Sequence, residues 1–250
     1  MGLTIAMVNQ KGGVGKTTTA VNLTAALAQA GKRVLLCDFD PQANATSGLG
    51  VDKTRAAVTS YDVVVNGRAA RDAVVHTKFG DLIPSAAALS GAGIELVGAA
   101  GREFVLKNAL APLKDEYDYV FIDCPPSLEL LTLNALCASD AILIPVQCEY
   151  YALEGLSDLM QTLRAVKRVL NPTLGIFGVL LTMYDGRTNF SAQVAEEVRR
   201  HFPGKVFASV IPRNVRLAEA PSHGVPVSAY DRFSRGAGAY EALAKEILNQ

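Results

Sequence analysis

The sequence predicts an α/β fold, a mostly parallel twisted sheet with helices on both faces, and three observations carry that prediction. Short runs rich in Val, Ile and Leu recur along the chain: "LTIAMV", "RVLLCDFD", "YDYVFIDCPP", "DAILIPVQ", "LGIFGVLLTMY" and "VFASVIP". Segments of helical period separate them, namely Thr17 to Gln29, Leu128 to Ala138, Leu153 to Leu170 and Phe190 to Phe202. No repeat, low-complexity tract or linker interrupts the order. Strands apolar on both faces that alternate with helices belong to a parallel sheet covered on both sides. With 250 residues, half of them hydrophobic, the chain can bury one full core, so a single domain over 1–250 is expected.

Taken in order, "LTIAMVNQ" is a strand, "KGGVG" has little side-chain bulk, and "KTTTAVNLTAALAQAG" is a helix ending at Gly31. Strand, glycines and helix form a phosphate loop. The glycines let the amides of Gly12, Gly13, Val14, Gly15 and Thr18 approach an anion at the positive end of the helix. Lys16 supplies charge to the β and γ phosphates, and Thr17 can place its hydroxyl on Mg²⁺. The pattern G-x-x-x-x-G-K-[ST] is not quite met: Gln10 stands where the first glycine belongs, and a second lysine, Lys11, follows it. Lys11 can pair with a carboxylate of its own chain, stand in solvent, or reach the phosphates of a nucleotide on a neighbouring copy. In the last role it would act as an arginine finger does and tie hydrolysis to assembly.

"RVLLCDFDPQANATSGLG" ends a strand with two carboxylates, Asp38 and Asp40, where the chain leaves the sheet. Mg²⁺ takes oxygen ligands and keeps several waters, which suits a carboxylate acting through water, while the other can orient an attacking water. Either can instead cap the following turn. Residues 48–101 are rich in Ala, Gly and Val and weak in period; they read as an excursion of short helices and loops with one strand near Leu82 to Pro84. In "YDYVFIDCPPS", Asp123 stands at the strand end, placed to hold Mg²⁺ through water or to fix Thr17, and Pro125 and Pro126 stop the strand.

Lys+Arg and Asp+Glu are equal at 24 each, so no net field draws the chain to DNA or membrane, and any such binding needs a local patch. The final quarter has one: Arg187, Arg199, Arg200, His201, Lys205, Arg213, Arg216, Arg232 and Arg235. The bland alternative for these arginines is a solvated face or a pair with Glu196, Glu197 or Glu219. Cys37, Cys124, Cys137 and Cys148 form no C-x-x-C pair and read as reduced core thiols of a cytoplasmic protein. Met1 leads straight into the first strand, so no export signal is expected, and no stretch is long enough to span a bilayer.

K-G-G-x-G-K-T-T at residues 11–18 resembles the deviant phosphate loop of the ParA/MinD family of dimerising P-loop ATPases. "DFDPQANATSGLG", "VQCEYYALEGL", "LLTMYDGRTNFSAQV" and "VIPRNVRLAEAPSHG" resemble its chromosome-partitioning ParA/Soj branch, so the likeness spans almost the whole chain. The resemblance implies an ATPase that forms a sandwich dimer when ATP-bound, with Lys11 reaching the partner's nucleotide. It implies Asp38 near the Mg²⁺ shell, Asp40 at the nucleophilic water, and Pro212 and Asn214 at the adenine. It also implies nonspecific binding to double-stranded nucleoid DNA through Arg187 and Arg216, and stimulation by a ParB/Spo0J-type protein. The alternatives within the family are a MinD-like membrane-positioning ATPase and a ParA-like cargo-positioning one. The last helix carries Glu241 and Glu246 against Lys245 alone, which argues against an anionic membrane. A start at the loop strand also implies no N-terminal DNA-reading extension.

Overall fold

Side chains along the first strand go alternately to opposite sides: Ala6 and Val8 pack into one apolar core, Ile5 and Met7 into another. A strand buried on both faces is central by necessity, and the computed structural model, which describes residues 2–149 and 152–249, places it so. The strands are β1 (Leu3–Met7), β2 (Val34–Asp38), β3 (Val75–Thr77), β4 (Gly80–Ile83), β5 (Tyr119–Asp123), β6 (Ala141–Gln147) and β7 (Gly175–Thr182). They form one sheet in the order β3-β4-β2-β5-β1-β6-β7. Every neighbouring pair is parallel except β3 and β4.

The helices are α1 (Lys16–Gln29), α2 (Asn44–Gly48), α3 (Ser60–Val64), α4 (Ala92–Glu95), α5 (Val105–Leu110) and α6 (Leu130–Ala138), then α7 (Ala152–Val169), α8 (Asn189–His201), α9 (Val215–Glu219), α10 (Val227–Tyr230) and α11 (Arg235–Leu248). Side chains of α1, α10 and α11 fill one core, and those of α3, α5, α6, α7 and α8 fill the other. The predicted two-faced cover is therefore present, and the long predicted helices fall within a residue or two of their expected limits. All four cysteines are buried and free. Among the described residues no helix is long and apolar enough to cross a membrane.

Two expectations need correction. The run "VFASVIP" is not a strand. Lys205, Phe207 and Ile211 do bond to the edge of β7, with Phe207 N donating to Val179 O at 3.0 Å and Ile211 N to Leu181 O at 2.9 Å. Between them, however, the amides of Ala208 and Ser209 turn away and donate to the Glu246 carboxylate at 2.7 and 2.8 Å. A helix side chain thus takes the Ser209 amide that the next rung of the ladder would need, together with its neighbour on Ala208. The excursion also holds a hairpin, not one lone strand: β4 begins at Gly80, two residues before Leu82, and pairs with β3, whose three partly exposed residues leave no apolar signature.

Parallel strands bring all their carboxyl ends to one edge. Along that edge Met7 of β1 stands beside Asp123 of β5, and Asp123 beside Asp38 of β2. The loop after β1 therefore lies next to both acidic strand ends.

Candidate functional site

The loop from Asn9 to Gly15 is shaped by its own side chains as much as by its glycines. Asn9 donates Nδ2 to Pro145 O at 2.8 Å and accepts the Lys11 amide on Oδ1 at 3.0 Å, tying the loop's start to β6. Thr182, at the end of β7, donates its hydroxyl to Val14 O at 2.8 Å and ties down the other end. Gly15 starts α1 at φ 92°, a left-handed conformation that a side chain at this position would strain. Gly12 and Gly13 are exposed, Val14 is buried, and Thr18 lies at the mouth of a neighbouring cavity.

Lys16 is buried, and its ammonium donates to Asn9 O at 3.0 Å and Lys11 O at 3.2 Å. Burial draws its pKa below the ordinary lysine range, while Asp123, Cys124 and Asp40 pull it back up. Lys11, the second lysine, pairs with Glu149 at 3.5 Å; the same carboxylate meets Arg213 at 3.6 Å and takes a short bond from Gln147. Of the openings left by the sequence, the own-chain carboxylate is the contact present in this single chain.

Asp38 and Asp123 are both wholly buried, side by side in register. Burial pushes Asp38 up to about 6, although the Thr46 hydroxyl at 2.6 Å, the Thr46 amide at 2.7 Å and the Asp40 amide at 3.3 Å all favour its charge. Asp123 is also raised well above the ordinary carboxylate range, first by burial and then by Asp38. The Thr17 hydroxyl lies near enough to ease this, yet among the described residues neither Asp123 oxygen finds a hydrogen-bond donor. Two buried oxygens with no donor, next to a second carboxylate, a hydroxyl and an ammonium, are a poor arrangement for a folded core and a fitting one for a hydrated divalent cation. The donor set of Thr17, Asp38 and Asp123 is all oxygen, as Mg²⁺ requires. Asp40 uses Oδ1 to cap its turn through the Gln42 amide at 2.9 Å; among the described residues its Oδ2 receives no bond.

Beyond the loop lies a cavity of about 360 Å³, mostly apolar, between Gly15, Thr18, Met183, Ile211, Leu217 and Tyr240. Pro212 and Asn214 line it. Asn214 Oδ1 accepts the Arg216 amide at 2.9 Å and caps α9, so its free amide group is the one available to a base edge. Volume and lining suit a flat heteroaromatic ring. Pro212 and Arg213 also border a second cavity of about 410 Å³, lined by Arg187, Arg213 and Arg235 with Asp185 as its carboxylate.

The candidate DNA arginines are paired within the chain. Arg187 grips Asp185 at 2.9 and 2.7 Å, and Arg216 pairs with Glu219 at 2.8 Å and Asp231 at 3.3 Å. Arg200 pairs with Glu196 and Glu197, the bland alternative named for it. The structure adds residues that the sequence did not single out: Asn9, Thr46, Glu149, Thr182 and Tyr240. Only Thr46 had a local signal, its place eight residues after Asp38 in the segment that leaves the sheet.

The AAA domain family matches residues 2–176 of the chain. The sporulation initiation inhibitor protein Soj of Bacillus subtilis is 59% identical over 99% of this chain and 98% of its own length. The chromosome-partitioning ATPase Soj of Treponema pallidum is 52% identical over 99% of the chain and 98% of its own. A crystal structure of cobyrinic acid a,c-diamide synthase from Mycobacterium smegmatis, with an ATP analogue and magnesium bound, superposes with a TM-score of 0.89 at 40% identity, covering 100% of this chain and 95% of that one.

Proposed function

The chain belongs to the ParA/Soj family of chromosome-partitioning ATPases, and on that footing we propose that it is a magnesium-dependent ATPase whose ATP-bound dimer coats nucleoid DNA without sequence preference. Hydrolysis, stimulated by a ParB/Spo0J-type centromere-binding partner, opens the dimer and releases the DNA. The observation that carries the catalytic half is the pair of unpartnered Asp123 oxygens beside Lys16, Thr17 and Asp38 at the loop. A fold keeps such a cluster only if something else satisfies it, and a triphosphate with its cation does so.

The chain's own groups divide the work. The amides of Gly12 to Thr18 face the phosphates, and Lys16, already desolvated, exchanges carbonyl partners for phosphate oxygens. Thr17, Asp38 and Asp123 hold the cation, which when bound neutralises developing charge on the phosphates. Asp40, fixed by its turn, orients the attacking water through its free oxygen. Pro212 and Asn214 hold the base. Lys11 leaves Glu149 and reaches the partner's triphosphate, so that turnover requires the dimer. The synthase of known structure carries an ATP analogue and magnesium, so the nucleotide chemistry is common to relatives of different name.

DNA contact would come from Arg187, Arg213 and Arg235 around one cleft, and from Arg216. A duplex phosphate can replace Asp185, Glu219 or Asp231 at these guanidinium groups because all are solvent-exposed pairs, screened by water and salt. Phosphate contacts carry no sequence information. Dimerisation doubles the weak patch and raises its avidity without a change of fold.

The test is Lys11→Ala with ATP and Mg²⁺. Nucleotide binding by the monomer should stay within a few-fold of wild type, while ATP-dependent dimers vanish from sedimentation velocity and DNA retention falls with them. Dimers that persist in the variant would refute the role of Lys11 across the interface.

A further inference from the structure

Phe233 is 86% exposed, more so than any other large apolar side chain among the described residues. Its position is built. The Phe233 amide donates to Asp231 Oδ1 at 3.2 Å, the Ser234 amide donates to Asp231 O at 3.1 Å, and the Ser234 hydroxyl caps α11 by accepting from Ala237 N at 3.1 Å. The ring is therefore held out from the surface by a short, tied segment. Its neighbours are cationic. The Arg232 guanidinium lies 4.9 Å from the ring centroid, Arg235 lines the cleft shared with Arg187 and Arg213, and Arg216 reaches the other oxygen of Asp231 at 3.3 Å. Among the described residues neither Arg232 nor Arg235 forms an ion pair, in contrast to Arg187 and Arg216.

Scattered exposed apolar residues are ordinary and need no explanation. An aromatic ring with the unpaired Arg232 guanidinium over it and Arg235 two residues on, joined through Asp231 to Arg216, is a more particular arrangement. Its complement is a surface that offers phosphate and apolar groups within a few ångströms of one another. Duplex DNA offers both, since sugars and base edges lie in the minor groove between two phosphate rows, and apolar wedges on architectural proteins enter there. Continuity commits the ring to this occupant, because Arg235, two residues on, lines the arginine cleft read above as the duplex contact.

We infer that Phe233 is an apolar DNA contact: with the arginines on the phosphates, the ring enters the minor groove and contributes affinity that does not depend on salt. The inference rests on the DNA reading above. It separates two kinds of contact within one surface, since counterion release attends only the cations.

The test compares wild type, Phe233→Ala, Phe233→Trp and Arg216→Ala, each saturated with a non-hydrolysable ATP analogue and Mg²⁺, on a short duplex over a range of salt. Phe233→Ala should weaken binding on the order of tenfold at every salt concentration, with the logarithmic slope unchanged. Arg216→Ala should instead reduce the slope by about 0.9 for each phosphate that the protein no longer neutralises. Phe233→Trp should restore affinity. Wild-type affinity in Phe233→Ala across the salt range overturns the inference and leaves the DNA reading standing. Loss of binding to phosphatidylserine vesicles in Phe233→Ala, with DNA binding unchanged, assigns the ring to lipid and overturns it too. If wild type retains no DNA at all with the nucleotide bound, the DNA reading fails, and this inference with it.

Discussion

Replacing Asp38 by Asn should make the nucleotide-free protein more stable while damaging its chemistry. Asp38 is wholly buried, and burial pushes its carboxyl from the ordinary 3.8 up to about 6 despite three hydrogen bonds to the charged form. A difference of about two units, at 1.36 kcal/mol each, amounts to roughly 3 kcal/mol. The sign follows from proton affinity. The folded state holds this proton more tightly than the unfolded chain, so the stability it confers is complete below about pH 4 and lost as pH rises through about 6. At pH 7 the folded protein therefore carries an ionised group it would sooner keep neutral. Asn is neutral at every pH, keeps an oxygen for Thr46, and relieves Asp123 of the neighbour that helps to raise it.

Thermal unfolding of both proteins without nucleotide, from pH 4 to pH 7.5, measures this. The variant should gain up to about 3 kcal/mol at pH 7, and at 2–4 °C per kcal/mol for a chain of this size its Tm should rise by roughly 6–12 °C. The two curves should converge near pH 4. Added ATP and Mg²⁺ should stabilise wild type more than the variant, which has lost a carboxylate proposed to hold the cation. A variant no more stable than wild type at pH 7, or a gap that does not change with pH, would refute the reasoning.

Two further outcomes are expected. Thr46→Val removes the 2.6 Å hydroxyl bond to Asp38 but keeps the backbone one, and should raise the Mg²⁺ concentration needed for half-maximal ATPase activity on the order of tenfold, with Thr46→Ser restoring it. Glu246→Ala strips the acceptor from two amides beside β7 and should cost about 2 kcal/mol, or roughly 4–8 °C in Tm at pH 7. Partial burial opposes the Glu246 charge, but the bonds from Ser209 and Ala208 outweigh it and hold the carboxyl below its ordinary range. Its contribution is thus present above about pH 4.5 and lost as pH falls through the folded value, so melts at pH 3 should show wild type and variant drawing together.

What could be read from the sequence was whatever chemistry is local. The phosphate loop is contiguous, so strand, glycines, lysine and helix announce one another within twenty residues. Asp38 and Asp123 were legible because an acid at the end of an apolar run marks the functional edge of a parallel sheet. The groups that shape the loop were not legible, because they arrive from far away: Thr182 bonds to Val14 across 168 residues, and Asn9 to Pro145 across 136. Neither leaves a trace in its own neighbourhood. "VFASVIP" misled for a related reason, since its period describes a strand correctly and only Glu246, in another helix, interrupts the ladder. The basic patch was legible as composition but not as charge, because Asp185, Glu219 and Asp231 offset the two arginines judged most important.

The two lysines of the loop differ in how they are held, and that difference bears on which of them can reach beyond its own chain. Lys16 is buried against two carbonyls that belong to the loop itself, so any exchange of partners it makes stays within that loop. Lys11 sits against Glu149 at 3.5 Å, with 35% and 46% of the two side chains exposed. A long, half-solvated pair of this kind is worth no more than about 1 kcal/mol, and Glu149 keeps Gln147 and Arg213 when the lysine departs. Its release therefore costs little and strands no charge. A triphosphate within reach carries several negative charges where Glu149 carries one, so the exchange is favourable as soon as a second copy brings a nucleotide close. On the proposed reading the loop would keep one cation for its own phosphates and hold the other on a weak tether, so that assembly, not nucleotide binding alone, would decide when the second charge is delivered.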